Sequence, residues 1–205
     1  MSRRGESRSF PRGAALLVEG EPSEFAMVVE SGLVKLSARL ASGQEAVIAV
    51  LGPGELLGEV GALDGGPCTG TAVALEDLTA SVVAVADLRA LVHEDASVAR
   101  EVMTTLSDRL RDADRKRFEL IAFDTQTRVA ARLVELSARF GERAGEEVHV
   151  GLPLSQAELA GWIGASQGAL CTVLQRLRRQ GLIETGRRSI TVLDADGLAR
   201  CATAA

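Results

Sequence analysis

Hydrophobic positions follow two regimes along this chain. From Ala14 to Val85 they come in short clusters: Ala14–Val18, Phe25–Val29, Leu33–Leu40, Ala46–Leu51, Thr71–Ala74 and Ser81–Val85. Turn formers separate them, at Glu19-Gly20, Ser31-Gly32, Ser42-Gly43, Gly52-Pro53-Gly54 and Gly65-Gly66-Pro67. Short strands at this spacing predict an antiparallel sandwich or roll. Leu33–Leu40 approximates the period-two alternation of a half-buried strand.

Beyond Val85 the period lengthens to that of a helix. Asp87 is placed to cap a short helical turn over Leu88–Val92. A long helix is predicted from about Ser97 to Phe123. Met103, Leu106, Leu110 and Ala113 alternate by three and four, the spacing of a coiled-coil seam. Arg117 falls on that seam, with Phe118 and Ile121 beside it, while Arg109, Arg111, Asp112, Arg115 and Lys116 crowd the other face. A narrow apolar stripe on a long helix predicts a dimer helix; the alternative is packing against its own β-domain. Asp124 can cap the next helix, whose buried face is Val129, Leu133, Leu136 and Phe140 and whose end is Gly141. Glu142–Glu147 reads as a polar loop.

The stretch Leu154–Leu182 holds two short helices and a tight turn. Ser155, followed three residues on by Glu158, forms a capping box. Leu159, Trp162 and Ile163 supply the apolar face of the first helix, and Gly164 breaks it. Ser166 can cap a second helix in which Leu170, Val173, Leu174 and Leu177 keep helical spacing up to Gly181. This is a helix-turn-helix outline, whose second helix can enter a DNA major groove. Leu182–Glu184 and Ile190–Leu193 then read as a two-stranded hairpin with Gly186, Arg187 and Arg188 at its tip, the wing of a winged helix. After Asp194 no pattern is evident.

Charge sharpens this reading. The 205-residue chain has a formal net charge of −5. Between Gly151 and Leu193, five arginines face two glutamates, so this segment is +3 and the remainder −8. A local basic patch on an acidic protein fits phosphate contact by one domain only. Cys68, Cys171 and Cys201 form no disulfide or metal pattern, and a cytoplasmic location is expected. They are too few for an iron–sulfur cluster, and His93 and His149 read as surface histidines rather than haem ligands. No metal is expected, and no apolar run is long enough to span a membrane. The opening MSRRGESRS lacks the apolar core of a secretory signal and reads as a frayed tail.

Roll, long helix and winged helix-turn-helix, in that order, resemble the family of the cyclic-AMP receptor protein and the fumarate–nitrate regulator. The resemblance runs from about Phe10 to Leu193. It rests most on Gly54-Glu55-Leu56-Leu57-Gly58-Glu59-Val60-Gly61, which resembles the start of the family's phosphate-binding cassette, and on Leu154–Gly186. It implies an α+β fold with three parts: an effector roll over residues 10–96, a dimerisation helix over 97–123 and a DNA-binding domain over 124–205. It also implies a homodimer on a near-palindromic operator, contact with RNA polymerase, and no enzymatic activity.

Two departures bear on function. In cyclic-nucleotide-binding members an arginine followed by Ser or Thr pairs with the cyclic phosphate; here Cys68-Thr69 stands in that place. A buried phosphate without a cation carries a large desolvation penalty, and Glu59 adds a negative charge. No cofactor is therefore expected: cyclic AMP and cyclic GMP are disfavoured. Gly58, Glu59, Cys68, Thr69 and Arg115 are the candidate pocket residues, with Arg115 or Arg117 the replacement cation. The family's recognition helix often begins Ser-Arg-Glu with another Arg one turn on; this chain has Ser166-Gln167-Gly168 and Thr172. Gln167, Gly168 and Thr172 are the candidate base readers, since Gln can bond adenine bidentately and Thr can touch a thymine methyl. Ser155, Ser166, Arg176, Arg179, Arg187 and Arg188 are the candidate phosphate contacts. Two rival readings stay open: a cyclic-nucleotide-gated regulator, and a protein–protein scaffold whose winged domain no longer binds DNA.

Overall fold

The computed structural model describes residues 5–40, 45–151 and 154–203, so the expected Ser42-Gly43 turn lies outside the described residues. The chain divides into two compact units, Met1–Asp112 and Ala113–Ala205.

Two antiparallel four-stranded sheets build the first unit. One contains β1 (Glu6–Phe10), β8 (Leu78–Ala84), β3 (Phe25–Ser31) and β6 (Leu56–Leu57), in that spatial order. The other contains β2 (Ala15–Leu17), β7 (Thr71–Ala74), β4 (Val34–Arg39) and β5 (Glu45–Leu51). Met27, Val29, Val34, Leu51, Leu57, Leu78 and Val82 fill the space between the sheets. Ala26 and Val83 lie on the opposite face of the first sheet, in a second cluster with Leu88, Val98 and Val102. Burial on both faces explains why β3 and β8 read as apolar runs rather than alternations. Helices supply the cover: α1 (Glu59–Asp64), α2 (Val85–Glu94) and the start of α3 (Ala96–Ala122).

Several expectations are corrected here. Residues 6–9 are not frayed: Glu6–Phe10 pairs in register with Leu78–Val82. The helix expected over Leu88–Val92 begins at Val85 with Ala84 as its cap residue, so Asp87 lies inside its first turn. Leu106 is half-buried against the Leu88–Val102 cluster and is not an open seam position. Met103 and Leu110 are 60% and 64% exposed, and Ala113 is exposed as well.

The second unit holds the end of α3, then α4 (Thr125–Phe140), β9 (Gly141–Ala144), β10 (Glu147–Gly151), α5 (Gln156–Ile163), α6 (Gln167–Arg179), β11 (Ile183–Gly186), β12 (Ser189–Val192) and α7 (Ala195–Thr203). Asp124 caps α4 as expected. The Thr127 backbone N–H donates to its carboxylate at 2.8 Å and holds its pKa below the usual carboxylate range. The cap therefore stabilises the fold above the unfolded aspartate pKa, and this is lost as pH falls through the lowered folded value. The polar loop expected over Glu142–Glu147 is instead a hairpin of β9 and β10, and His149 lies on β10. The wing is part of a four-stranded sheet, β11-β12-β10-β9, rather than an isolated hairpin. The stretch after Asp194 forms α7, with Gly197 and Leu198 buried.

A buried ionic cluster ties the end of α3 to α4. Arg132, only 4% exposed, donates to Glu119 at 3.1 Å and also to Glu135. Arg115 lies 3.6 Å and Arg139 3.3 Å from Glu135. Trp162 of α5 packs within this group, with the Arg132 guanidinium 5.2 Å and the Lys116 ammonium 5.6 Å from its ring centroid.

Candidate nucleic-acid interface and roll cavity

Local sequence sets the two helices of the interface. Ser155 and Glu158 complete the capping box of α5, the Ser155 N–H donating to the Glu158 carboxylate at 2.7 Å. Gly164 ends α5 at φ 69°, a conformation that favours glycine. Ser166 accepts from the Ala169 N–H at 3.2 Å and starts α6. Leu170, Val173, Leu174 and Leu177 bury one face of α6. Gly168, Thr172, Gln175 and Arg179, spaced i, i+4, i+7 and i+11, occupy the opposite face and are all exposed.

Of the expected base readers, Gly168 and Thr172 thus share one stripe, while Gln167 stands exposed at the first position of α6. Gln175 belongs to that stripe and escapes motif reading; the helical period alone could have found it. Thr172 donates its hydroxyl to the Gly168 carbonyl at 3.0 Å. Among the expected phosphate contacts, Ser155 and Ser166 are the exposed caps of α5 and α6. Arg176 is exposed but donates to Gln126 at 2.7 Å. Arg187 and Arg188 form the exposed turn between β11 and β12, and Arg188 adopts φ 56°. A non-glycine residue in the left-handed region costs roughly 1–3 kcal/mol, so the wing tip is held in a strained, defined shape.

The first unit contains a small cavity lined by Gly58, Glu59, Cys68 and Thr69, four of the expected pocket residues. Its cation is Arg109, not Arg115 or Arg117. Arg115 lies with Glu119 and Glu135 in the second unit, and Arg117 lies 3.9 Å from Asp114. Arg109 reaches from α3 to Glu59 and to the Leu56 carbonyl. Glu59 is 1% exposed. Gly58, at φ 80°, starts α1, and a Cβ there would lie 2.7 Å from the Phe25 carbonyl. The free volume is about 30 Å³, room for a few water molecules at most, whereas small-molecule pockets run to about 300–1,000 Å³. Arg109→Met would leave the Glu59 carboxylate buried without its cation. A loss of about 2–3 kcal/mol is expected in urea unfolding, with much of it restored by adding Glu59→Gln. If the single variant costs less than about 0.5 kcal/mol, Arg109 does not support this carboxylate.

Comparison with known proteins agrees with this architecture. Residues 7–95 match the cyclic nucleotide-binding domain model, and residues 127–201 match the Crp-like helix-turn-helix domain model. The chain is 31% identical to the CRP-like cAMP-activated global transcriptional regulator of Mycobacterium tuberculosis, over 93% of this chain and 85% of that protein. It is 33% identical to the cyclic AMP receptor protein of Thermus thermophilus, with the same coverage. The structure of FixK2 from Bradyrhizobium japonicum superposes with a TM-score of 0.86 at 26% identity, covering 98% of both chains. With both domains matched in order and the relatives aligned along nearly its whole length, the chain belongs to the Crp/Fnr family of transcription regulators, a family of regulators rather than enzymes.

Proposed function

We propose that this protein is a sequence-specific DNA-binding regulator acting as a homodimer on a near-palindromic operator, in concert with RNA polymerase. The observation that carries the reading is the exposed stripe of α6, flanked by capped helix starts and the Arg187-Arg188 wing tip. Gln167, Gly168 and Thr172 face base edges; Ser155, Ser166, Arg176, Arg179, Arg187 and Arg188 serve the phosphates. Retention of genomic fragments in a gel shift, weakening as salt rises, is the direct test. An absence of salt-dependent retention on any fragment would favour a protein–protein scaffold.

Arginine pairs and base readers should separate under mutation. Arg187→Ala with Arg188→Ala is expected to weaken binding about tenfold on all operators and to reduce the salt slope by about two. Gln167→Ala is expected to relax preference at one base pair, by about 1–3 kcal/mol. Identical behaviour of the two variants across mismatched operators would refute the division between phosphate and base contacts.

The roll, in this reading, does not bind cyclic nucleotide in the usual way. Cys68 lines the cavity in place of an arginine, Arg109 is engaged by Glu59, and the free volume is about 30 Å³. Nucleotide gating is the second reading, favoured by the names of the two relatives, one cAMP-activated and one a cyclic AMP receptor. Calorimetry with cyclic AMP and cyclic GMP decides between them, micromolar binding of either supporting gating.

A further inference from the structure

Gly168 is anomalous within its own fold. It occupies the second position of a 13-residue helix, and glycine is a poor helix former. Its φ is not left-handed, and a Cβ built on it meets nothing within 4 Å. By contrast, a Cβ on Gly61 would lie 2.8 Å from the Gly66 carbonyl, and one on Gly70 the same distance from the Ser37 carbonyl. Those glycines are required by packing. Neither backbone angle nor packing among the described residues calls for a glycine at 168.

The surroundings say what kind of surface comes close. Gly168 is exposed, and its carbonyl already accepts the Thr172 hydroxyl at 3.0 Å. With that hydroxyl turned back to the helix, Thr172 has its methyl group left for an outside contact. The bare Cα of Gly168 and this methyl make a shallow apolar notch one helical turn long. The amides of Gln167 and Gln175 flank it on α6. In a major groove the apolar feature of a base edge is the thymine C5-methyl, and a Gln amide matches adenine N6 and N7.

We infer that Gly168 is a specificity-determining residue: the notch it forms with Thr172 seats the methyl group of a thymine in an A·T pair of each half-site. This rests on the reading of α6 as the base-reading helix. The backbone approaches the groove too closely there for a Cβ, and the helix accepts the glycine for that reason.

The test uses the full-length protein and an operator recovered by selection from random duplexes. Gly168→Ala should raise the thermal midpoint of the free protein by about 2–4 °C, which also verifies folding. It should weaken operator binding at least about tenfold with no change in salt slope. Thymines in the operator are then replaced one at a time by uracil, which removes only the methyl group. At one position per half-site the wild type should lose affinity, while Gly168→Ala should regain it to within about threefold of wild type on the thymine operator. Unchanged binding by Gly168→Ala, or a scan in which no uracil rescues it, overturns the notch. Failure of the wild-type protein to select any duplex overturns the DNA-binding reading itself.

Discussion

Arg132→Ala is expected to destabilise the second unit by about 3–5 kcal/mol, the usual cost of removing one partner from a buried ion pair. Arg132 is 4% exposed, and the side chains of Glu119 and Glu135 that it joins are 8% and 11% exposed. Its removal leaves two carboxylates facing each other in a medium that hydrates them poorly. Arg115 and Arg139 approach the same carboxylates from more exposed positions and compensate only in part. The Trp162 ring also loses the planar cation against it. Arg117→Ala is the control: its side chain is 78% exposed and 3.9 Å from Asp114, so a change below about 0.5 kcal/mol is expected. Urea unfolding followed by far-ultraviolet circular dichroism measures both. A loss below about 1 kcal/mol for Arg132→Ala would mean that Arg115 and Arg139 compensate for its charge in full.

The second large effect is expected from Met103→Glu combined with Leu110→Glu. These side chains are 60% and 64% exposed, and Phe118 and Ile121 further along α3 are 61% and 80% exposed. Met103 and Leu110 fall close to one line on an ideal helix. An apolar line this open on a 27-residue helix is matched most simply by the same line of a second copy. Two carboxylates per chain in such a seam should leave monomers in sedimentation velocity. Operator affinity should then fall by about 10²–10⁴, because two half-sites are no longer held by one particle. The first unit should remain folded, since neither residue is buried. Leu106→Glu should behave differently: Leu106 packs into the Leu88–Val102 cluster, so its substitution should unfold the first unit rather than merely split the proposed dimer. A variant that still sediments as a dimer with both glutamates in place would exclude α3 as the seam.

What was legible in the sequence was local. The Ser155–Glu158 capping box, the Ser166 and Asp124 caps and the glycine stop at Gly164 each depend on residues within four positions of one another. Most strands of the roll carry enough Val, Ile and Leu to declare themselves. The first and ninth strands do not: ESRSF and GERA are mostly exposed and take their conformation from the neighbours they pair with. The cavity was half legible. Gly58, Glu59, Cys68 and Thr69 lie close in sequence and could be grouped by resemblance. Arg109 lies 50 residues from Glu59, and only the packing of α3 on the roll brings them together. Arg115, six residues later, carries the same charge but belongs to the other unit. Arg132 was invisible for the same reason: a charged residue within an amphipathic helix gives no sign of burial until its partners, 13 residues before and three after, are in place.

The position of Trp162 has a practical consequence. It is the chain's only tryptophan, and the chain has no tyrosine. Fluorescence excited at the red edge of protein absorption therefore comes from a single indole, held against Arg132 and Lys116 in the second unit. The β-roll is dark in this measurement. Its emission traces the winged domain alone, whereas circular dichroism sees both units. Any lag between the two signals during denaturation would reveal, without a label, that the two units come apart in separate steps.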